Sequence, residues 1–176
     1  MTRRTSTIHW AGVLAVVGVV ALAVVAAPVL PTRRALPREV LSLAGLTDVQ
    51  LDLKPFPEAL LDAGVQRDQV EASWRKQLAA AGIEVTTEPD APTLSLRVDV
   101  VTERSVPSAM TTLVFISLEQ DVQLKRLERD MVLPTFTHYS VNLESKDRMN
   151  KMFRPLIDGV LGKFIMLVER ATKQGE

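Results

Sequence analysis

TLSLRVDVVTE, residues 93–103, alternates apolar and polar side chains more regularly than any other stretch of this chain. Leucine or valine occupies the even positions 94 to 100, whereas serine, arginine and aspartate occupy the odd positions 95 to 99. A period of two residues is typical of a β-strand with one buried face. The stretch therefore predicts a strand whose even-numbered side chains face a hydrophobic core.

The same alternation returns after a predicted loop through Pro107 and Met110. From residue 113 onward one parity is apolar, and the other parity is polar between Glu119 and Lys125. The apolar members are Val114, Ile116, Leu118, Val122 and Leu124. A long strand that is solvated on one face is typical of antiparallel sheets, so this stretch predicts a second main strand of that kind.

Three further strands follow from shorter patterns. A turn at residues 128–130 leads into a predicted strand at 131–141. Pro134 has no backbone N–H to donate, so its presence predicts an edge strand or a bulge. Upstream, residues 46–54 alternate in the same way and predict a first strand, and residues 83–86 predict a short one.

Two segments show the spacing of an amphipathic helix. In residues 66–81, Trp74 belongs to an apolar face that ends before Gly82, a typical helix stop. Residues 145–173 carry a longer apolar stripe. Its members are Met149, Met152, Phe153, Leu156, Val160, Phe164, Val168 and Ala171. The pattern predicts one α+β domain at residues 46–173, with two helices packed on one face of a mainly antiparallel sheet of four to five strands.

The segment from Trp10 to Leu30 contains 21 residues without a charge. As a helix it would be about 32 Å long, enough to cross the roughly 30 Å apolar core of a bilayer. It predicts a transmembrane helix at residues 10–30, preceded by a basic tail at 1–9 and followed by a proline- and arginine-rich spacer at 31–45. Because a cleaved signal peptide has an apolar core of only about 7–15 residues, we expect a retained signal-anchor.

The charges beside the predicted span nearly balance, because two arginines precede it and three follow it. A short basic tail before a first apolar segment favours a cytoplasmic N-terminus. We therefore expect a single-pass protein of a bacterial inner membrane with its domain on the periplasmic side. Gly12, Ala15 and Gly18 offer small surfaces on which another membrane helix could pack. The alternative is that these small residues merely fill an anchor.

Charge and cysteine content exclude several classes of function. Five of the 21 basic residues flank the apolar segment, so the rest of the chain has 16 basic and 21 acidic residues and a net charge of −5. This balance argues against binding to nucleic acid, which requires a basic face. The absence of cysteine excludes disulfides, thiolate metal sites, a cysteine nucleophile and lipid attachment through a cysteine.

The residue types that carry chemistry are sparse. Neither of the two histidines, His9 and His138, has a cysteine or another histidine nearby to complete a metal site. Glu119 and Asp121 share a strand face and could act as paired acids, but an open, solvated strand lacks the burial that raises a carboxyl pKa. No glycine-rich phosphate loop and no G-x-S-x-G motif occurs. The sequence therefore predicts a protein that is not an enzyme and holds no cofactor and no metal.

Four residues of the domain are candidates for an interaction surface. Pro107 and Met110 lie in the predicted loop, and Glu119 and Asp121 lie on the polar side of the long strand. The partners we expect are the lipid bilayer and other subunits of a membrane complex, with no nucleic acid and no metal.

The order of the predicted elements is strand, helix, short strand, long hairpin and helix. With Gly82-Ile83 after the first helix and the alternating runs at 94–100 and 114–124, it resembles small bacterial envelope-assembly modules. These modules are the lipopolysaccharide-assembly protein LptE and the N-terminal domain of the translocation protein TolB. The likeness covers residues 46–171 and contains no diagnostic motif, and the chain lacks the lipid-bearing cysteine of LptE. It implies an α+β fold and a non-catalytic binding role.

Two functions of different classes follow from these patterns. The first is a non-catalytic, single-pass accessory or structural subunit of a larger membrane complex, of transport, respiratory or photosynthetic type. The alternative is a free-standing envelope module that binds lipid or peptide along its sheet, as the resemblance to LptE implies. Gentle detergent extraction followed by native separation would discriminate them, because only the first travels with a large complex.

Overall fold

A computed structural model describes residues 36–103 and 105–175, which form four helices and five strands. In chain order the elements are α1 (Arg38–Leu41), β1 (Asp48–Leu53), α2 (Glu58–Asp62), α3 (Arg67–Ala80), β2 (Glu84–Val85), β3 (Thr93–Glu103), β4 (Val106–Leu124), β5 (Arg129–Ser145) and α4 (Lys146–Gly175). Both predicted helices and all predicted strands are present, so the α+β class is confirmed.

The strands form one sheet in the order β2-β1-β3-β4-β5. β1 runs parallel to both β2 and β3, whereas the pairs β3–β4 and β4–β5 are antiparallel. The sheet is therefore mixed, and the prediction of a mainly antiparallel sheet is wrong. The physical reason is the connection from β1 to β2, which passes through α2 and α3, because a crossover through a helix joins parallel strands.

The two long helices pack on one face of the sheet, which we call the inner face. α3 contacts β1 and β2, α4 contacts β4 and β5, and the two helices contact each other. Trp74 of α3 and Phe164 of α4 are fully buried. Leu96 of β3 and Ile116 of β4, which are paired in register, are fully buried as well. These four predicted core residues are confirmed.

The β3–β4 hairpin is longer than the sequence predicted. Regular pairing continues to Thr102 opposite Met110, and after a register shift Glu103 pairs with Val106, the first residue of β4. Pro107 and Met110 therefore lie in a strand and not in a loop, which corrects the prediction. The apolar alternation is interrupted at Thr111 and Thr112, so backbone pairing extends the strand where the side-chain pattern gives no signal.

The β4–β5 pairing is interrupted by one irregularity. The register shifts between Leu118 and Glu119, so that Phe136 pairs with Leu118 while Pro134 pairs with Glu119. Pro134 therefore stands next to a bulge in an edge strand, as its missing backbone N–H predicts. The turn lies at residues 125–128, slightly earlier than predicted, and Glu128 has a positive φ of 50°.

Residues 36–45, predicted as part of an extended spacer, form the short helix α1 and a turn. Leu43 is fully buried in the core, and Gly45 adopts a φ of 74°, in the left-handed region that glycine tolerates. Burial of Leu43 thus holds the end of the predicted spacer to the domain. The basic and proline-rich composition of this segment gave no indication of that burial.

No helix among residues 36–103 and 105–175 combines the length and the apolar character needed to cross a membrane. The predicted transmembrane helix at 10–30 and the basic tail at 1–9 lie outside the described residues, together with Gly12, Ala15 and Gly18. These assignments stay predictions.

Candidate functional site

Beyond Phe136, the edge strand β5 directs its apolar side chains away from the helices. Its His138 pairs with the buried Ile116, so from Phe136 onward the even-numbered residues of β5 lie on the inner face and the odd-numbered residues lie on the opposite, outer face. The outward residues Tyr139, Val141 and Leu143 are 61%, 59% and 68% exposed. β5 thus reverses the usual arrangement, with apolar side chains toward solvent.

β3 and β4 extend this exposed area across the sheet. Phe115 of β4 pairs with Tyr139, and Leu113 of β4 pairs with Val141. Phe115 and Leu113 are partly exposed. Val101 of β3 is 63% exposed and lies in the row of Leu143, with Thr111 between them. We call this set the outer apolar surface: Val101, Leu113, Phe115, Tyr139, Val141 and Leu143. Contiguous apolar areas on a protein surface often mark interaction sites.

A polar hollow of about 170 Å³ borders the outer apolar surface. Its lining residues are Lys54, Ser95, Arg97, Phe115, Ser117 and Glu119. The Arg97 guanidinium lies 5.3 Å from the centre of the Phe115 ring and forms an ion pair of 3.0 Å with Asp99. A hydrogen bond from Lys54 Nζ to the Asp52 carboxylate raises the pKa of Lys54. The hollow therefore holds paired charges beside an aromatic ring.

The inner side of β5 forms a second concavity, an open groove of about 260 Å³ against α4. Its lining residues are His138, Ser140, Pro155, Leu156, Gly159, Val160 and Lys163. Burial lowers the pKa of His138, and the nearby charge of Lys163 lowers it further. We call this concavity the edge groove, because it opens at the free side of β5.

The predicted interface residues are not brought together. Glu119 lines the polar hollow, whereas Asp121 is exposed on the part of β4 that extends beyond β3. Met110 is only 2% exposed on the inner face, so its side chain belongs to the core. Pro107 stands near the start of β4. An interface role stays a prediction for Pro107, Glu119 and Asp121.

The residues that dominate the exposed surface were missed by the sequence reasoning. A signal was present, because apolar residues occupy positions 139, 141 and 143 while positions 138, 140, 142 and 144 are polar. Alternation alone does not state which parity faces the helices. Within the described residues, no group of three or more histidine, aspartate or glutamate side chains converges as a metal site requires.

No family model matches the chain, and no curated protein matches it. Among solved structures, a minor lipoprotein from Acinetobacter baumannii aligns with 70% of this chain and 94% of its own, at 15% identity and a TM-score of 0.39. The rare lipoprotein B from Shewanella oneidensis aligns with 72% of this chain and 92% of its own, at 13% identity and a TM-score of 0.33. At scores this low, the alignments do not decide function.

Proposed function

We propose that this chain is a non-catalytic assembly module of the bacterial cell envelope that binds a protein partner through the outer apolar surface. The observation that carries the proposal is the position of Tyr139, Val141 and Leu143 on a sheet face that no described element covers. The other face of the same sheet is covered by α3 and α4. The domain thus has two layers and an apolar surface on which a third layer could pack.

The shape of the surface favours a protein over a small apolar ligand. Pockets for small molecules are typically concave, with volumes of about 300–1,000 Å³. The hollow beside the surface has about 170 Å³ and is lined largely by charged and hydroxyl side chains. Tyrosine, phenylalanine and arginine are enriched in protein interfaces, and Tyr139, Phe115 and Arg97 lie side by side in one row of paired residues.

Val101 provides the sharpest test, because it belongs to the outer apolar surface but lies away from the edge strand. Val132 is a matched control, since it is 62% exposed on the hairpin beyond the bulge while Val101 is 63% exposed. A photo-crosslinking amino acid at position 101 of the full chain in its native membranes should capture a second protein, and the same group at position 132 should not. Val101→Glu should abolish the native complex and Val132→Glu should preserve it.

Three outcomes would overturn the proposal. They are equal crosslinking at both positions, capture of lipid alone at position 101, and a native complex that survives Val101→Glu. Circular dichroism melting of each variant checks that the domain remains folded.

A second feature supports a membrane-anchored form of the same module. The predicted span at 10–30 contains Gly12, Ala15 and Gly18, and small residues allow close helix packing in a bilayer. As an accessory subunit in the inner membrane with a periplasmic domain, the chain would use these residues to contact another subunit. Replacing Gly12 and Gly18 by leucine should leave the protein in the membrane but release it from its complex. Retention of the complex would assign partner binding to the domain alone.

A further inference from the structure

The side of β5 that does not pair with β4 is an open sheet edge. β5 pairs with β4 along residues 129–145, and no strand of the described chain pairs with its other side. Such an edge presents unpaired backbone N–H and C=O groups to any other strand. Proteins usually protect long edges with lysine, proline, a bulge or a covering segment.

Protection is present at one end of β5 and absent from the other. Near the bulge, α1 contacts β5 and the Ser42 hydroxyl oxygen lies 3.3 Å from the Thr135 carbonyl oxygen, so α1 and the segment after it cover that part. Pro134 stands beside it. From residue 136 to 144, FTHYSVNLE, the edge contains no lysine, arginine or proline. This half of the edge is therefore open to a further strand.

We propose that a second copy of this chain pairs with β5 in antiparallel orientation, with Val141 opposite Val141 of the second copy. In this register Tyr139 lies opposite Leu143 of the second copy on the outer face, and apolar side chains meet apolar side chains. On the inner face His138 lies opposite Glu144 of the second copy. The contact is isologous, because each residue pair occurs twice around one two-fold axis.

Charge complementarity selects this register among its neighbours. Glu144 of the second copy enters at the edge groove, beside His138 and Lys163. No ion pair joins Lys163 to a carboxylate among the described residues, whereas Glu144 makes one contact of 3.5 Å with the largely exposed Arg148. A shift of two residues along the strand would place that Glu144 opposite Phe136 or Ser140 instead. The proposed register places the inward acid directly opposite His138 in the edge groove.

The helix layer fits the same arrangement. Because α4 packs on β4 and β5, the α4 helices of two copies would lie about two strand spacings apart, roughly 10 Å, on one face of the joint sheet. Packed helices are separated by about 8–10 Å. The side of α4 that borders the edge groove carries Pro155 and Gly159, and a side chain at Gly159 would meet no atom within 4 Å. The helices can therefore approach without a clash at this position.

Pairing would join two five-stranded sheets into one and make the two outer apolar surfaces continuous. This inference does not depend on the proposed function, because strand pairing uses the backbone edge of β5. Tyr139, Val141 and Leu143 belong to the outer apolar surface as well, so Val101 variants test the face and Val141 variants test the edge.

Cysteine crosslinking tests the proposed register directly, since the chain contains no cysteine of its own. Opposite residues of an antiparallel pair have Cα atoms about 4.5–5.5 Å apart, within the roughly 4.4–6.8 Å range of disulfides. The full-length Val141→Cys variant in detergent should form a disulfide-linked dimer under mild oxidation. Tyr139→Cys should not crosslink to itself, because its two copies would be about 13 Å apart. Mixed with Leu143→Cys, it should crosslink.

Val101→Cys is the control for random collision, because this residue is equally exposed but lies away from the edge. A Val141→Cys chain that stays monomeric, a Val101→Cys chain that crosslinks equally well, or self-crosslinking of Tyr139→Cys would overturn the proposal.

Sedimentation equilibrium supplies an independent test without oxidation. Val141→Lys should weaken dimerisation at least about tenfold, because a charged lysine at the centre opposes edge pairing. Val132→Lys, beyond the bulge in the same strand and outside the proposed contact, should leave dimerisation unchanged. Glu144→Lys should weaken the dimer by up to about fivefold, and adding Lys163→Glu should restore it. Failure of this rescue would overturn the register, and equal effects of the two valine variants would overturn the interface.

Discussion

β4 and β5 are paired along most of their lengths, yet they direct their apolar side chains to opposite faces. Ile116 of β4 pairs with His138 of β5. Ile116 is buried under α4, whereas His138 lines the edge groove. One step further, Tyr139 of β5 is exposed on the outer face. α4 packs on both strands, but β4 has a strand on each side whereas β5 has only one neighbouring strand among the described residues. The difference teaches that β5 reaches the core only at Phe136 and that its outward apolar residues are free for the contacts we propose.

The largest expected effect separates these two roles. Ile116→Ala should destabilise the domain by about 2–5 kcal/mol, because it leaves a cavity under α4. Leu143→Ala removes a side chain that is 68% exposed and should change the free energy of unfolding by no more than about 0.5 kcal/mol. Urea unfolding followed by circular dichroism measures both changes. Equal losses would mean that the two strands contribute alike to the core.

Phe136 is the point at which β5 does reach the core, and it sharpens the comparison. Its ring is buried and lies 5.7 Å from the Phe164 ring at an angle of 55°. Phe136→Leu should cost about 1 kcal/mol, because the aromatic pair is lost while most of the volume remains. Phe115→Leu, on the outer face, should cost only about 0.5 kcal/mol through its contact with Arg97. If the two variants unfold at the same urea concentration, Phe136 contributes no more to the core than Phe115 does, which would contradict this prediction.

Much of the fold followed from local patterns, because each element of the core carries its own period. The strand around Leu96 and the helix around Trp74 were predicted in place. The direction of β1 was not, because alternation reports burial and is the same in parallel and antiparallel strands. Only the crossover through α3 sets that direction.

The candidate site was harder to predict for a related reason. A sequence pattern assigns side chains to two faces but does not state which face carries the helices. In β5 the bulge near Pro134 sets the parity, and Phe136 is the residue that ties the even positions to the core. Tyr139 and Leu143 are exposed as a consequence. Their role becomes visible only when the pairing with β4 is known.

Thr112 places a polar hydroxyl on the inner face of β4, so its replacement tests whether this polar group lowers the stability of the domain. Its hydroxyl is buried, and no hydrogen-bond partner for it occurs in the described part of the chain. Thr112→Val should stabilise the domain by about 1 kcal/mol, because a buried hydroxyl without a partner carries a desolvation cost. The adjacent Thr111 lies on the outer face, so Thr111→Val should change stability by less than about 0.5 kcal/mol. Thermal melting that shows destabilisation by Thr112→Val would indicate a bound water or another partner for the hydroxyl.

The smallest expected effect concerns His138, on the inner side of β5. Burial, followed by the charge of Lys163, lowers its pKa below the ordinary value of 6.5. The unfolded chain therefore binds this proton more readily than the folded domain does. The contribution of neutral His138 to stability is complete above about pH 6.5 and is lost as the pH falls through the pKa of His138 in the folded domain. His138→Gln should remove that part of the pH dependence, and Lys163→Met should remove its smaller, electrostatic share.

The measurement is the free energy of unfolding in urea between about pH 7 and pH 5, taken as the difference between parent and variant so that carboxylate titration cancels. It is best made in the Val141→Lys background, in which a second copy does not bring Glu144 to His138. The parent should lose stability relative to His138→Gln as the pH falls, and binding of a protein partner through the outer apolar surface should be unaffected, because His138 lies on the inner face. If the stability difference between parent and variant stays constant across this range, His138 has the same pKa in the folded and unfolded chain. The inner face of β5 at His138 would then be as open to water as the outer face.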